Sequence, residues 1–159
     1  MNPPYRLAAA ADVPALAALY REAALTLGPL VYTPEQVEAW ARSTDDAAAF
    51  SRYILGARTW IDDNGAAAGE PRAFCGIAVH GATAEVHSLY VRAALTRQGI
   101  GGALLRHAMA EARTCGARRF EAWATPLSRP LFERVGLALL RVVAEPYQGV
   151  SFERYRMGG

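Results

Sequence analysis

A strand pattern at Leu89-Tyr90-Val91 leads into Thr96-Arg97-Gln98-Gly99-Ile100-Gly101-Gly102. A helical repeat follows at Ile100, Leu104, Ala108 and Ala112, reinforced by Leu105 and Met109. This succession of strand, glycine-rich turn and amphipathic helix constrains the chain most. Such a turn leaves several backbone N–H groups unpaired at the positive end of the helix dipole. Its glycines permit unusual backbone angles and let a bulky anion approach without Cβ clashes. A diphosphate fits such a cradle, with Arg97 as an added cation. A glycine turn that merely packs a helix closely on a strand shows the same pattern. A nicotinamide-binding Rossmann unit places the turn after its first strand, with an acidic residue about 20 positions on. Here several elements precede the turn and Glu121 falls inside the following strand, which argues against that fold.

The remaining elements are legible from period and punctuation. Tyr5 to Ala9 suits a first strand, and Asp12 can cap a helix with Pro14 in its first turn and Leu16, Tyr20, Ala23 and Leu27 at helical spacing. Gly28-Pro29 stops that run. Thr33-Pro34-Glu35-Gln36 has the order of a capping box, and Val37, Trp40 and Ala41 give its helix an apolar stripe. Strands are predicted over 58–62 and 73–80, joined through Asp63-Asn64-Gly65, and then over 84–91. The long helix ends near Gly116. A strand over 119–124, a short helix capped by Ser128 and stopped by Gly136, and strands over 137–143 and 150–156 complete the chain. Strands that follow one another early and alternate with helices later predict a mixed α/β sheet with helices packed on it, one domain over residues 1–159.

Composition narrows the chemistry. The 159 residues are 52% hydrophobic and 20% charged, a globular mix with a formal net charge of +2. That balance gives no strong field to draw nucleic acid or a membrane. All 17 basic residues are arginine, and the absence of lysine excludes a Walker A lysine, a Schiff-base lysine and pyridoxal chemistry. Cys75 and Cys115 are far apart and in no metal-ligand spacing, so a reducing, cytoplasmic setting is expected. The start Met1-Asn2-Pro3-Pro4-Tyr5 lacks the basic and apolar stretches of a signal peptide, and no run has membrane-spanning length. No metal site is expected from the three histidines.

Leu89-Tyr90-Val91 with Arg97-Gln98-Gly99-Ile100-Gly101-Gly102 resembles the acetyl-CoA motif of the GNAT superfamily of N-acetyltransferases. Arg129-Pro130-Leu131-Phe132-Glu133-Arg134-Val135-Gly136-Leu137 is similar to the later helix and strand of that superfamily, and Arg6-Leu7 to Leu16 to its opening. The segment from Tyr32 to Trp40 and the C-terminal Arg154-Tyr155-Arg156-Met157 resemble a bacterial subgroup, the YafP-like acetyltransferases. The resemblance implies about seven strands and about four helices, with strands four and five splayed to admit acetyl-CoA as co-substrate. It also implies that Leu89, Tyr90 and Val91 run beside pantetheine and that amides from Arg97, Gln98, Gly99, Ile100, Gly101 and Gly102 hold the pyrophosphate. Thr125 stands where the family has a pantetheine-side Asn, and Ser128 lies beside it. Thr96 replaces the motif's usual first Arg or Gln, and Phe132 replaces a frequent general-acid tyrosine.

On a regular strand Glu85 shares a face with His87, Leu89 and Val91, while Tyr90 has the opposite parity. The resemblance to histone-type members implies Glu85 as general base, directly or through water; a solvated strand-end carboxylate is the plain alternative. His87 has a suitable ordinary pKa of about 6.5, but a packing histidine reads the same. Tyr147, in the expected loop 146–149, can replace the missing acid, although a thiol with pKa about 8.5 can also leave as thiolate. Tyr32, Trp40 and Trp60 either line an acceptor pocket or belong to the core. The implied partner is a small-molecule amine or peptide acceptor, with no nucleic acid or membrane partner, and family habit suggests a homodimer. A non-catalytic acyl-CoA-binding module is the competing reading, supported by Phe132 and Thr125.

Overall fold

The computed structural model describes residues 5–64 and 70–159. Among these residues seven strands form one sheet in the order β1-β2-β3-β4-β5-β7-β6. They are β1 Tyr5–Leu7, β2 Arg58–Asp62, β3 Ala73–His80, β4 Thr83–Val91, β5 Arg119–Ala124, β6 Ala138–Tyr147 and β7 Val150–Gly158. The α-helices among the described residues are α1 Val13–Leu27, α2 Pro34–Ala41, α3 Ala47–Leu55, α4 Ile100–Thr114 and α5 Arg129–Arg134. Every pairing is antiparallel except that of β4 with β5, which α4 connects. The mixed α/β sheet expected from the sequence is present, with five helices rather than about four.

Local chemistry explains both the agreements and the departures. Thr33 and Gln36 form the expected capping box, with Gln36 N donating to Thr33 Oγ1 at 3.2 Å and Thr33 N to Gln36 Oε1 at 2.9 Å. Helix α3 is the added element. Asp46 caps it by accepting from Ala49 N at 2.9 Å, but Phe50 and Ile54 are its only buried residues, too few to reveal a period. Asp12 does not cap α1. Its carboxylate forks onto Arg6 at 2.8 and 2.9 Å and accepts from Ala9 N, closing the short 3-10 turn before the helix. Ser128 does not cap α5 either; its hydroxyl accepts from Thr125 N at 3.0 Å. β1 stops at Leu7, whereas β6 runs on to Tyr147, so Pro146 and Tyr147 are strand rather than loop. The reversal is Gln148-Gly149, both at positive φ. Asn64 also has positive φ, while Gly65 of that proposed turn, Ala66 to Ala68 and the first four residues lie outside the described residues.

Each face of the sheet has its own core. Leu104, Leu105 and Met109 of α4 and Phe132 of α5 bury against Cys75, Ile77, Phe120 and Met157 on one face. Leu16, Leu19 and Tyr20 of α1 with Phe50 and Ile54 of α3 bury against Ile61 and Phe74 on the other. Burial of each such side chain contributes roughly 1.5–3 kcal/mol.

Two irregularities shape the middle of the sheet. β4 and β5 pair from Thr83↔Arg119 to Val86↔Ala122 and then part. β5 continues only against β7, at Trp123↔Arg156 and Ala124↔Tyr155. On its other edge, β4 pairs with β3 throughout, but Gly76↔Ser88 is followed by Ile77↔Val86, leaving His87 as an extra residue. That bulge bends β4 and increases its twist where the parallel ladder ends. The result is an open wedge flanked by residues 87–91 of β4 and the end of β5.

Candidate active site

The glycine turn lies at the end of β4, beyond a 3-10 turn over Ala93–Leu95. Arg97 and Gly99 both have positive φ, 63° and 80°, so the chain folds back through a left-handed conformation to begin α4 at Ile100. The first backbone bond of that helix runs from Ala103 N to Gly99 O at 3.0 Å. The amides of Ile100, Gly101 and Gly102 therefore have no intrahelical acceptor. A Cβ on Gly101 would meet Val91 Cγ2 at 3.1 Å and Leu131 Cδ2 at 3.5 Å, so glycine there lets α4 seat against β4 and α5. A Cβ on Gly99 would meet nothing within 4 Å, so the turn's outer side is open. A row of free amides at a helix N-terminus, open outward and beside Arg97, fits a pyrophosphate.

The bulge at His87 overturns the regular-strand parity of β4. Ala84 and Val86 face the α4 core before it; Leu89 and Val91 face that core after it. Glu85 therefore lies on the opposite face, with Ser88 and Tyr90, and not with Leu89 and Val91. Tyr90 shares its face with Glu85 instead of opposing it. His87 is exposed, and its carbonyl accepts from Tyr53 Oη at 3.0 Å. Ser88 Oγ accepts from Gly76 N at 2.8 Å, so both irregular residues are held by hydroxyls.

Glu85 stands beside Glu121 in the parallel ladder, one pair before the strands part. Arg156 of β7 reaches both carboxylates: its Nη2 lies 3.4 Å from Glu85 Oε2 and also binds Glu121 Oε2 in a short contact. The Arg156 guanidinium packs 4.9 Å from the centre of the Trp123 ring. Arg156 Nη1 is buried with no hydrogen-bond partner among the described residues.

Tyr90 is the hub of an aromatic cluster. Its ring stacks on Phe74 at 5.2 Å and lies 4.4 Å from Tyr20, and its hydroxyl accepts from Trp40 Nε1 at 3.2 Å. Burial pushes the Tyr90, Tyr53 and Tyr20 phenols well above their ordinary value and Cys75 up to about 12. Tyr147, from the β6–β7 hairpin, makes a short contact with Ser43 and lies 6.0 Å from Phe152, which in turn meets Tyr32 at 5.2 Å. Tyr32 and Trp40 thus border the Glu85 face, whereas Trp60 belongs to the α4 core.

Thr125 and Ser128 sit just past the end of β5. They satisfy one another: Ser128 N and Leu127 N both donate to Thr125 Oγ1 at 3.2 Å. Phe132 is buried in the α4 core. Among the described residues, no group of three or more His, Cys, Asp or Glu is placed to hold a metal, and no helix is long and apolar enough to cross a membrane.

The structure thus brings Glu85, Tyr90 and Tyr147 to one face and the 97–102 turn to the neighbouring end of the wedge. Glu121, Trp123, Arg156, Ser43 and Tyr53 join them; the sequence places Glu121 in a strand and Arg156 in the C-terminal motif, but nothing local assigns any of the five to this site. Glu121 and Arg156 lie 35 residues apart and meet only because β7 inserts between β5 and β6.

Similar proteins point to one family. The backbone superposes on a GCN5-related N-acetyltransferase from Rhodopseudomonas palustris with a TM-score of 0.86 at 23% identity, covering 99% of this chain and 95% of the other. It also matches the PaiA N-acetyltransferase of Thermoplasma acidophilum, solved with coenzyme A, at TM-score 0.76 and 17% identity over 99% and 98% of the two chains. A third match is a putative acetyltransferase of Salmonella typhimurium, YncA, solved with acetyl-CoA, at TM-score 0.65 and 21% identity over 99% and 93%. No curated protein sequence matches the chain significantly. Residues 17–137, which hold the whole wedge and its glycine turn, match the acetyltransferase (GNAT) family. The chain belongs to that family and is an acetyltransferase by its domain.

Proposed function

We propose that this protein transfers the acetyl group of acetyl-CoA to a primary amine of a small molecule or peptide, with both substrates bound together. The observation that carries this reading is the wedge: β4 and β5 separate after Val86↔Ala122, beside a turn whose Ile100, Gly101 and Gly102 amides have no intrahelical acceptor. In it, the amides of Arg97, Gln98, Gly99, Ile100, Gly101 and Gly102 take the pyrophosphate and Arg97 adds charge. Leu89, Tyr90 and Val91 flank pantetheine; Thr125 and Ser128, already bonded to one another, border it from the β5 side. A fixed β4 amide, at Leu89 or Val91, stabilises the charge that develops on the acetyl oxygen.

The amine nitrogen bonds to the acetyl carbon and the carbon–sulfur bond breaks. Glu85 accepts the amine proton, directly or through water, and Arg156 orients its carboxylate. His87 is a less suitable base because it points to solvent from the bulge. Phe132 cannot donate, so the thiolate leaves unassisted or takes a proton from water or Tyr147. Holding both reactants in one cleft supplies much of the acceleration.

On this reading residues 1–159 act as one catalytic unit of the YafP-like kind, in the cytoplasm and as a homodimer. Incubation with acetyl-CoA and a panel of amines tests it. Release of free thiol with formation of acetylated amine supports it. Coenzyme binding without turnover on any amine assigns the protein instead to acyl-CoA binding alone, the outcome that the buried Phe132 favours.

A further inference from the structure

The face that carries Glu85 also carries an unusual concentration of arginine. Trp123 of β5 has three guanidiniums around its ring: Arg154 at 4.6 Å, Arg156 at 4.9 Å and Arg141 at 5.9 Å from the ring centre. Sheet register produces the cluster. Trp123 pairs with Arg156, Arg156 with Arg141, and Arg154 with Val143, so all four side chains emerge on the face that bears Glu85 and Glu121. Trp123 follows Ala122, the last residue of β5 paired with β4, and so stands at the mouth of the wedge.

The charges there are unevenly partnered. Arg156 is committed to Glu85 and Glu121. Arg154 pairs with Glu145 at 3.1 Å, but both side chains are more than a third exposed, and such a pair contributes little. Arg141 is exposed and makes no ion pair among the described residues. Each guanidinium offers five N–H donors and accepts none. Glu85, Glu121 and Glu145 balance the three positive charges, but they leave guanidinium N–H groups over: Arg141 has no ion pair and Arg156 Nη1 no hydrogen-bond partner among the described residues.

We infer that the acceptor amine carries a carboxylate within a few bonds of its nitrogen, an amino-carboxylate, and that Arg141 and Arg154 bind this group over Trp123. This assignment rests on the acetyltransfer reading above and names its substrate class. A guanidinium matches a carboxylate in a forked, two-bond geometry, and the indole supplies an apolar floor. The opposite end of the ligand, its amine, meets Glu85 and Glu121 at the wedge. Loss of one proton to Glu85 makes that nitrogen neutral, its lone pair bonds to the acetyl carbon, the carbon–sulfur bond breaks, and the second proton of the nitrogen passes to the departing thiolate or to water. A polyamine with cations at both ends would place one of them among the arginines, where like charge opposes it.

The test compares amino-carboxylates of increasing reach (the twenty amino acids, β-alanine, 4-aminobutyrate and 6-aminohexanoate) with their primary amides and with spermidine. Thiol release gives kcat/KM, and calorimetry with coenzyme A is run on the same preparations. At least one amino-carboxylate should exceed its own amide by tenfold or more, chiefly through KM, and Arg154→Gln with Arg141→Gln should reduce that ratio to within about twofold, with coenzyme affinity retained. Amides or spermidine that equal the acids overturn the assignment, as does a ratio that survives both substitutions. Coenzyme binding with no acid acetylated overturns it too. Failure to bind the coenzyme overturns the acetyltransfer reading instead.

Discussion

Arg156 Nη2 lies 3.4 Å from Glu85 Oε2, reaching from β7 to β4 across β5, the strand that separates them. The same nitrogen holds Glu121, so the candidate base is fixed by a cation that a second carboxylate also holds. Replacing Glu85 with Gln keeps the side-chain volume and leaves Arg156 its contact with Glu121. Steady-state kinetics should then show kcat lowered by about 10² to 10⁴, with acetyl-CoA affinity changed little. An unchanged kcat removes Glu85 from the mechanism.

Gly101 is fitted between Val91 and Leu131, so Gly101→Val forces the start of α4 away from β4. Overpacking of this kind costs about 1–3 kcal/mol. The displaced amides should weaken coenzyme A binding by tenfold or more in calorimetry, with a lowered melting temperature. Wild-type affinity in this variant would show that the turn does not hold the coenzyme.

These two residues also show what the sequence can and cannot reveal. The turn around Gly101 was legible because glycine spacing, strand and helix period are all local. Glu85 was legible as a residue but not in its orientation, because one unpaired residue at His87 reverses strand parity and nothing in the local sequence marks a bulge. Arg156 and Trp123 were not legible as partners, since their meeting depends on β7 lying between β5 and β6. Helix α3 escaped for a different reason: it buries only two side chains, and its alanine run is compatible with several structures. Ser128 shows that a preferred cap residue at a helix start can be claimed by a neighbouring turn, here by Thr125.

The two cysteines should differ sharply in reactivity. Cys75 is fully buried in β3, and burial pushes its thiol up to about 12, so it holds almost no thiolate at neutral pH. Cys115 is exposed. A thiol-specific reagent at pH 8 should titrate one thiol per native chain and two after denaturation. Two rapidly reacting thiols in the native protein would contradict the packing of β3.

Stability should fall in alkali. Burial raises the Tyr20, Tyr53 and Tyr90 phenols above their ordinary value of 10.0, and Tyr32 to about 12. The folded chain then holds protons that the unfolded chain releases. The stability is fully present below pH 10 and is lost progressively as pH rises from 10 through 12. Urea midpoints measured across that range should decline; a flat profile would mean that these hydroxyls are open to solvent in the fold.

The wedge and its turn stand or fall with coenzyme recognition, and isothermal titration of the purified protein with coenzyme A and acetyl-CoA measures it directly. Saturable binding at one site per chain, with Kd below about 1 mM and weakened in Gly101→Val, is the predicted result. Absence of any saturable heat up to millimolar coenzyme would contradict the assignment of residues 97–102 as its pyrophosphate cradle.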